Sequence, residues 1–299
     1  MPAVLHPSLI DLAEQAPLSS TAATARGVLA ESQDLLRNAI DHREPESELS
    51  AWYSKIIADT LQSPAARDLV GDSRILPTGG IGRGDGLPTD PVSWFAIGPT
   101  PNADRCLLPL FEGSRLSVAP AGSASLEDWR DRGLKALEDG DAGTVAILAD
   151  AGLLTRPGQV PALLERAITH RPPALQVFEG LPDRNVLIDM QATLLSPVSD
   201  VARWVGLAVG ASSRTTTGRL SEGQDSGLLS PAETESLIQV WETGVTLHLR
   251  RWRDDLHEHP VTTEDLPALD RTAHGAAARM AAGVLRSLAA RFGIPLAEQ

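Results

Sequence analysis

The sequence predicts an α/β plus all-α protein: N-terminal helices and a small mixed sheet in residues 1–155, followed by a helical bundle in residues 156–299. Three observations lead there. Strand-like segments bounded by Gly and Pro are confined to the stretch from residue 73 to about 150. On either side of it, apolar residues recur at helical spacing. Aromatic residues make up only 4% of the 299, so the core must be mostly aliphatic and Ala-rich, which suits helix-on-helix packing.

Leu29, Leu35, Leu36 and Ile40 mark a first helical stripe. Leu49, Trp52, Tyr53, Ile56, Ile57 and Leu61 mark a second, with Pro45 and Pro64 at its boundaries. At Ser73 the period changes. Arg74-Ile75-Leu76 predicts a short strand, and Thr78-Gly79-Gly80-Ile81-Gly82-Arg83-Gly84-Asp85-Gly86 a glycine-rich turn after it. Pro91–Gly98 predicts a second strand and Arg115–Ala119 a weaker third. Ser125 opens a helix that runs to about Glu138, with Asp128 placing negative charge in its first turn. Thr144–Ala149 reads as the most convincing strand, leading directly into Asp150. Beyond residue 158 the strands are expected to stop. Helices are predicted over Val160–His170 and Val198–Val209, then from the capping box Ser230-Pro231-Ala232-Glu233, and finally from Leu269 to Phe292.

Composition narrows the function. With 26 Lys and Arg against 39 Asp and Glu, the net charge of −13 argues against a protein that coats nucleic acid. The single Cys106 excludes an internal disulfide and any multi-Cys zinc site, and is read as a small apolar filler. No run of eighteen apolar residues exists, and the N-terminus lacks a basic start and an uninterrupted apolar stretch. A cytoplasmic protein with no membrane partner is therefore expected.

The glycine-rich segment is the most informative for chemistry. Such a turn lets backbone N–H groups approach an anion, and Arg83 within it could pair with a phosphate. On spacing alone, a surface turn without a ligand accounts for it equally well. It is not a Walker loop, and the βαβ continuation of a dinucleotide fold is missing downstream. His257 and His259 suggest a metal pair, but two positions apart on a helix the rings diverge by about 200°. Arg250, Arg251 and Arg253 are followed by Asp254 and Asp255, which reads as a salt-bridged surface. Asp189, Asp200 and Arg203 are read as a buried polar network within the bundle.

The order of these pieces carries a resemblance. Gly79–Asp85 followed by Thr89-Asp90-Pro91-Val92 is similar to the G-S-x-G-R-x-E … T-D-x-D pattern of bacterial nucleotidyltransferases of the protein-PII uridylyltransferase kind. Leu187–Gln191, Pro197–Arg203, Thr217–Leu220 and Leu266–Arg271 resemble the nucleotidyltransferase substrate-binding domain that accompanies it. Together the resemblance spans about residues 35–292. It implies transfer of a nucleoside monophosphate from a nucleoside triphosphate to an acceptor such as a regulatory protein. Gly79, Gly80, Gly82, Arg83 and Asp85 would bind the nucleotide. Asp90 and Asp150 would be the catalytic carboxylates, holding Mg2+.

The chain departs from that pattern at three places. Gly80 stands at the motif serine, Asp85 at the motif glutamate, and Val92 at the second metal carboxylate. A valine supplies no oxygen to magnesium. Two expectations follow: a nucleotidyltransferase, and a catalytically degenerate relative that acts as a nucleotide sensor or protein-interaction regulator.

Overall fold

Among the described residues, four α-helices precede the first strand: α1 (Pro7–Gln15), α2 (Ala22–Asp41), α3 (Glu46–Leu61) and α4 (Pro64–Val70). Their starts follow local chemistry. Thr21 and Thr24 close a capping box on α2, Pro45 precedes α3, and Pro64 takes the first position of α4 behind the Ser63 cap. Helix α3 packs against α1 and α2 and buries Leu49, Tyr53, Ile56 and Ile57 completely. The Trp52 indole N–H donates to Leu9 O at 2.7 Å, which binds α1 to the same core.

The structure is a computed structural model that describes residues 5–154, 158, 160–173, 177–178, 181–182, 186–256 and 261–296. The chain divides into two units, Met1–Thr155 and Arg156–Gln299. The first holds a three-stranded mixed sheet of β1 (Arg74–Thr78), β2 (Ser93–Ile97) and β3 (Gly122–Ala124), in that order. Strand β1 runs antiparallel to β2, with Leu76 opposite Phe95, and β2 runs parallel to β3. Short helix α5 (Gly79–Arg83) leaves the end of β1, and α6 (Ala103–Cys106) lies between β2 and β3. Helices α7 (Leu126–Asp139) and α8 (Ala142–Asp150) complete the unit. Ser125 and Asp128 form the capping box of α7. Phe95, Trp129 and Leu148 join β2, α7 and α8 in one cluster, with the two rings edge-on at 4.6 Å.

Two expectations for this unit are corrected. Thr144–Ala149 is not a strand but the body of α8. The Asp141 carboxylate accepts the N–H groups of Gly143 and Thr144, so the segment enters a helix. Val145, Ala146, Leu148 and Ala149 are all buried, and a helix covered on most sides presents the same continuous apolar run as a buried strand. The weak third strand at Arg115–Ala119 contracts to one parallel bridge between Val92 and Val118, and the third strand lies further on at β3.

The second unit is helical: α9 (Pro161–Thr169), α10 (Ser196–Val209), α11 (Thr216–Asp225), α12 (Pro231–Arg253) and α13 (Ala268–Phe292). One stretch of π-helix, Gln191–Leu195, leads into α10. Strands do not stop at residue 158, however. β4 (Val177–Phe178) pairs with β5 (Leu181–Pro182), and β6 (Leu187–Ile188) with β7 (Val261–Thr262). Two-residue ladders are too short to leave an alternating pattern in the sequence. Val198, Val201, Ala202, Trp204 and Val205 of α10 are buried, and Trp204 meets Phe292 of α13 edge-on at 5.0 Å. His257 and His259 lie outside the described residues. Among the described residues, no helix is long and apolar enough to cross a membrane.

Glu233 joins two helices. Its carboxylate accepts the Ser230 N–H at 2.9 Å as the α12 cap, and also the Ser287 hydroxyl at 3.0 Å and Arg291 at 3.1 Å from α13. Burial pushes its pKa up, but these hydrogen bonds and Arg291 prevail and hold it below the usual value. A depressed carboxylate stabilises the fold above its unfolded pKa, and that contribution is lost as pH falls through the folded pKa. Glu233→Ala is therefore expected to cost about 1 kcal/mol or more at neutral pH. In urea denaturation the gap to the natural protein should close as pH falls below 4.5, the ordinary value for a glutamate.

Candidate functional site

The candidate site forms where β1, α5, α8 and α3 meet. Thr78 ends β1, is buried, and donates its hydroxyl to Ile147 O of α8. The next residues do not form an open turn. Gly79–Arg83 is a short helix that closes on Gly84 in the left-handed region. A Cβ on Gly82 would stand 2.6 Å from Pro77 O and 2.9 Å from Asp150 O. One on Gly80 would stand 2.6 Å from Gly86 Cα and 3.0 Å from Asp90 Oδ2. These glycines thus serve the close approach of the segment to the protein's own backbone.

Helix α3 holds the following peptide from the other side. Gly86 N–H donates to Ser54 Oγ at 2.7 Å, and Ser50 Oγ donates to Gly86 O at 3.1 Å. Asp90 closes the succeeding turn, accepting Leu87 N–H at 3.2 Å on Oδ2 while its own N–H bonds Leu87 O at 3.0 Å. Ser50, Ser54 and Tyr53 escape sequence reasoning as site residues. The available signal is the pair of serines one turn apart within an otherwise apolar stripe.

Arg83 is the centre of the arrangement. Its Nε donates to Asp85 Oδ1 at 2.9 Å and a terminal nitrogen to Asp150 Oδ2 at 2.8 Å. Arg83 is 6% exposed, Asp85 8% and Asp150 0%, so all three charges lie inside the protein. Burial opposes the guanidinium charge, but Asp85, Asp150 and Asp90 outweigh it and keep the group protonated at any ordinary pH. Tyr53, fully buried, has its pKa raised by desolvation; a hydrogen bond with Gln33 opposes this and Asp90 adds to it, so the phenol stays neutral.

Of the sequence-predicted residues, the structure therefore brings together Gly80, Gly82, Arg83, Asp85, Asp90 and Asp150, with Gly79 at the head of α5. Asp150 reaches the site from the C-terminal end of α8 rather than from a strand. Val92 is wholly buried. Its backbone is fixed by Ser117 O at 2.8 Å and the Ala119 N–H at 3.0 Å. The donor set does not fit a magnesium ion. Asp85 and Asp150 are engaged by Arg83, and Val92, where the resemblance would expect a second carboxylate, is an apolar side chain in the core. Among the described residues, no three His, Cys, Asp or Glu side chains are arranged to hold a metal.

Two other features are distinct from this centre. A cavity of about 600 Å³ in the first unit is lined by residues that include His6, Leu9, Leu35, Asn38, His42 and Glu44, and contains none of the predicted site residues. In the second unit, Arg166 grips buried Asp200 with two bonds of 2.7 and 2.5 Å, and Arg203 adds a third at 2.7 Å. Asp189 is not part of that network. It is exposed and accepts Ala192 N–H at 2.8 Å at the head of the π-helix. Arg253 pairs with Asp254 and Arg250 with Asp270, as a salt-bridged surface requires.

Residues 159–292, most of the second unit, match the family described as "Putative nucleotidyltransferase substrate binding domain". The first unit lies outside the match. No curated protein matches the chain.

Breaking one partner of a buried ion pair leaves an uncompensated charge, at a cost of about 3–5 kcal/mol. Arg83→Met is expected to destabilise the protein on that scale and Asp150→Asn less. The double variant should cost clearly less than the two single effects added together. Urea denaturation of the four proteins measures the coupling directly.

Proposed function

We propose, from the premise that residues 159–292 form a nucleotidyltransferase substrate-binding domain, that this protein is a nucleotidyltransferase-type regulator. Its helical domain recognises a partner, of which a regulatory protein is the expected class. Its N-terminal unit, related to that of protein-PII uridylyltransferases, engages a nucleoside triphosphate without transferring its nucleotidyl group.

The observation that carries this reading is Val92. Nucleotidyl transfer through two magnesium ions needs carboxylates on alternate positions of one strand, because those side chains face the same way. Here Asp90 is followed at that position by a fully buried valine, bridged to Val118. A carboxylate there would be a charge in the core, so the apolar residue is built into the fold. Without the second metal much of the transition-state stabilisation is lost.

Transfer is the second reading, and the matched domain favours it, since a substrate-binding domain implies a substrate. The two part in one assay. The protein is incubated with labelled UTP or ATP, candidate acceptor proteins, and Mg2+ or Mn2+. The regulator is expected to give thermal shifts with nucleotide that are similar in Mg2+ and in EDTA, with no pyrophosphate release. Metal-dependent incorporation that Asp90→Ala abolishes would establish the transferase instead.

A further inference from the structure

We propose that the cavity at the C-terminal end of α2 is a binding site for a small organic cation, an amine carried on an apolar body. It shares no residue with the Arg83 centre or with the matched stretch 159–292, so it goes beyond the regulator reading and does not depend on it. A volume of about 600 Å³ is that of a small-molecule site. Leu35, Ala39 and His42 follow one another at helical spacing, so one face of α2 makes the wall. Buried Leu9 of α1 adds to the apolar lining, and the Trp52 indole N–H fixes its carbonyl at 2.7 Å.

The end of α2 sets the charge of the site. Arg43 adopts the left-handed conformation, with φ 62°. Its N–H bonds Ile40 O at 3.0 Å, and the Glu44 N–H bonds Ala39 O at 3.1 Å. This reversal closes the helix and returns Glu44 over its last turn, onto the cavity wall. Glu44 is half-buried, and among the described residues no ion pair or hydrogen bond engages its carboxylate. It is the one fixed charge in the lining, beside the negative pole of a 20-residue helix. No Lys or Arg lines the cavity, so no fixed positive charge awaits an anion there. His6 is committed to the fold: its Nδ1 accepts the Ser8 N–H at 3.3 Å as the cap of α1. A carboxylate at the rim and leucines below it fit a protonated amine on an aliphatic or aromatic body.

The test uses the full chain and three compounds that share one body: 4-phenylbutylammonium, 4-phenylbutanol and 4-phenylbutyrate. Titrations are followed through the ring signals of the 7 histidines in NMR spectra, with two of them assigned by His6→Gln and His42→Gln. The ammonium is expected to saturate with a Kd of about 1 mM or below, shifting His6 and His42 and leaving the other rings in place. The alcohol and the carboxylate should bind about tenfold more weakly or not at all. Glu44→Gln should erase that preference, and Leu35→Trp, which fills the cavity, should abolish saturation. Should Leu35→Trp not fold, Glu44→Gln decides. Equal binding of ammonium and alcohol, a preference for the carboxylate, or no saturation would overturn the proposal. So would shifts spread over all exposed histidines and removed by salt, the mark of unspecific attraction to an acidic protein. No nucleotide enters this assay, so its result leaves the regulator reading as it stands.

Discussion

The ion pair between Arg83 and Asp150 is the constraint on which the first unit depends. Asp150 is the last residue of α8 and has no contact with solvent, and a guanidinium meets its charge there. The same guanidinium holds Asp85, which fixes the segment after α5. Ser50 and Ser54 then fasten Gly86, and the Asp90 turn leads into β2. Sheet, helix and loop are thus referred to one buried cation, and the candidate chemistry of the site follows from which carboxylates that cation has already engaged.

The second unit handles buried charge by the same principle with different parts. Asp200 is enclosed by Arg166 from α9 and by Arg203 one turn along its own helix. Glu233 caps α12 and is gripped by Arg291 from α13. In both cases a single carboxylate ties two segments, and its lone pairs are filled by several donors, as a buried acid requires. A domain of this construction keeps its helices in register through polar contacts while its apolar faces supply the bulk of the stability.

How much of this could be read beforehand depended on the range of the interaction. The longer helices α3, α7 and α12 were legible, because Pro45, Ser125 and Ser230 mark their starts within a few residues, whereas α5, α6 and α11 were not anticipated. β1 and β2 were legible from their Gly and Pro borders, and the mixed sheet and helical second unit followed. Thr144–Ala149 was not, since burial on most sides erases the periodicity that separates helix from strand. Val92 stood out in the sequence only as an apolar residue where the resemblance expects a carboxylate; that the fold buries it completely was not readable there. That Arg83 meets Asp150 was not, because 67 residues separate them and nothing local in either segment announces the other. The glycine-rich segment was legible as special but for an incomplete reason: the sequence shows that backbone must come close to something, and only the fold shows that the something includes the protein itself.

Gly82 makes that last point mechanical. Its α-carbon is the spacer between the end of β1 and the end of α8, with the carbonyl oxygens of Pro77 and Asp150 both within 3 Å of where a methyl group would sit. Even alanine there would act as a wedge. It would push α8 away from the sheet and, by moving Asp150, stretch an ion pair that the new methyl never touches. The charge balance of the site is therefore set by a hydrogen atom: the smallest side chain in the segment decides whether the largest one can reach its partner.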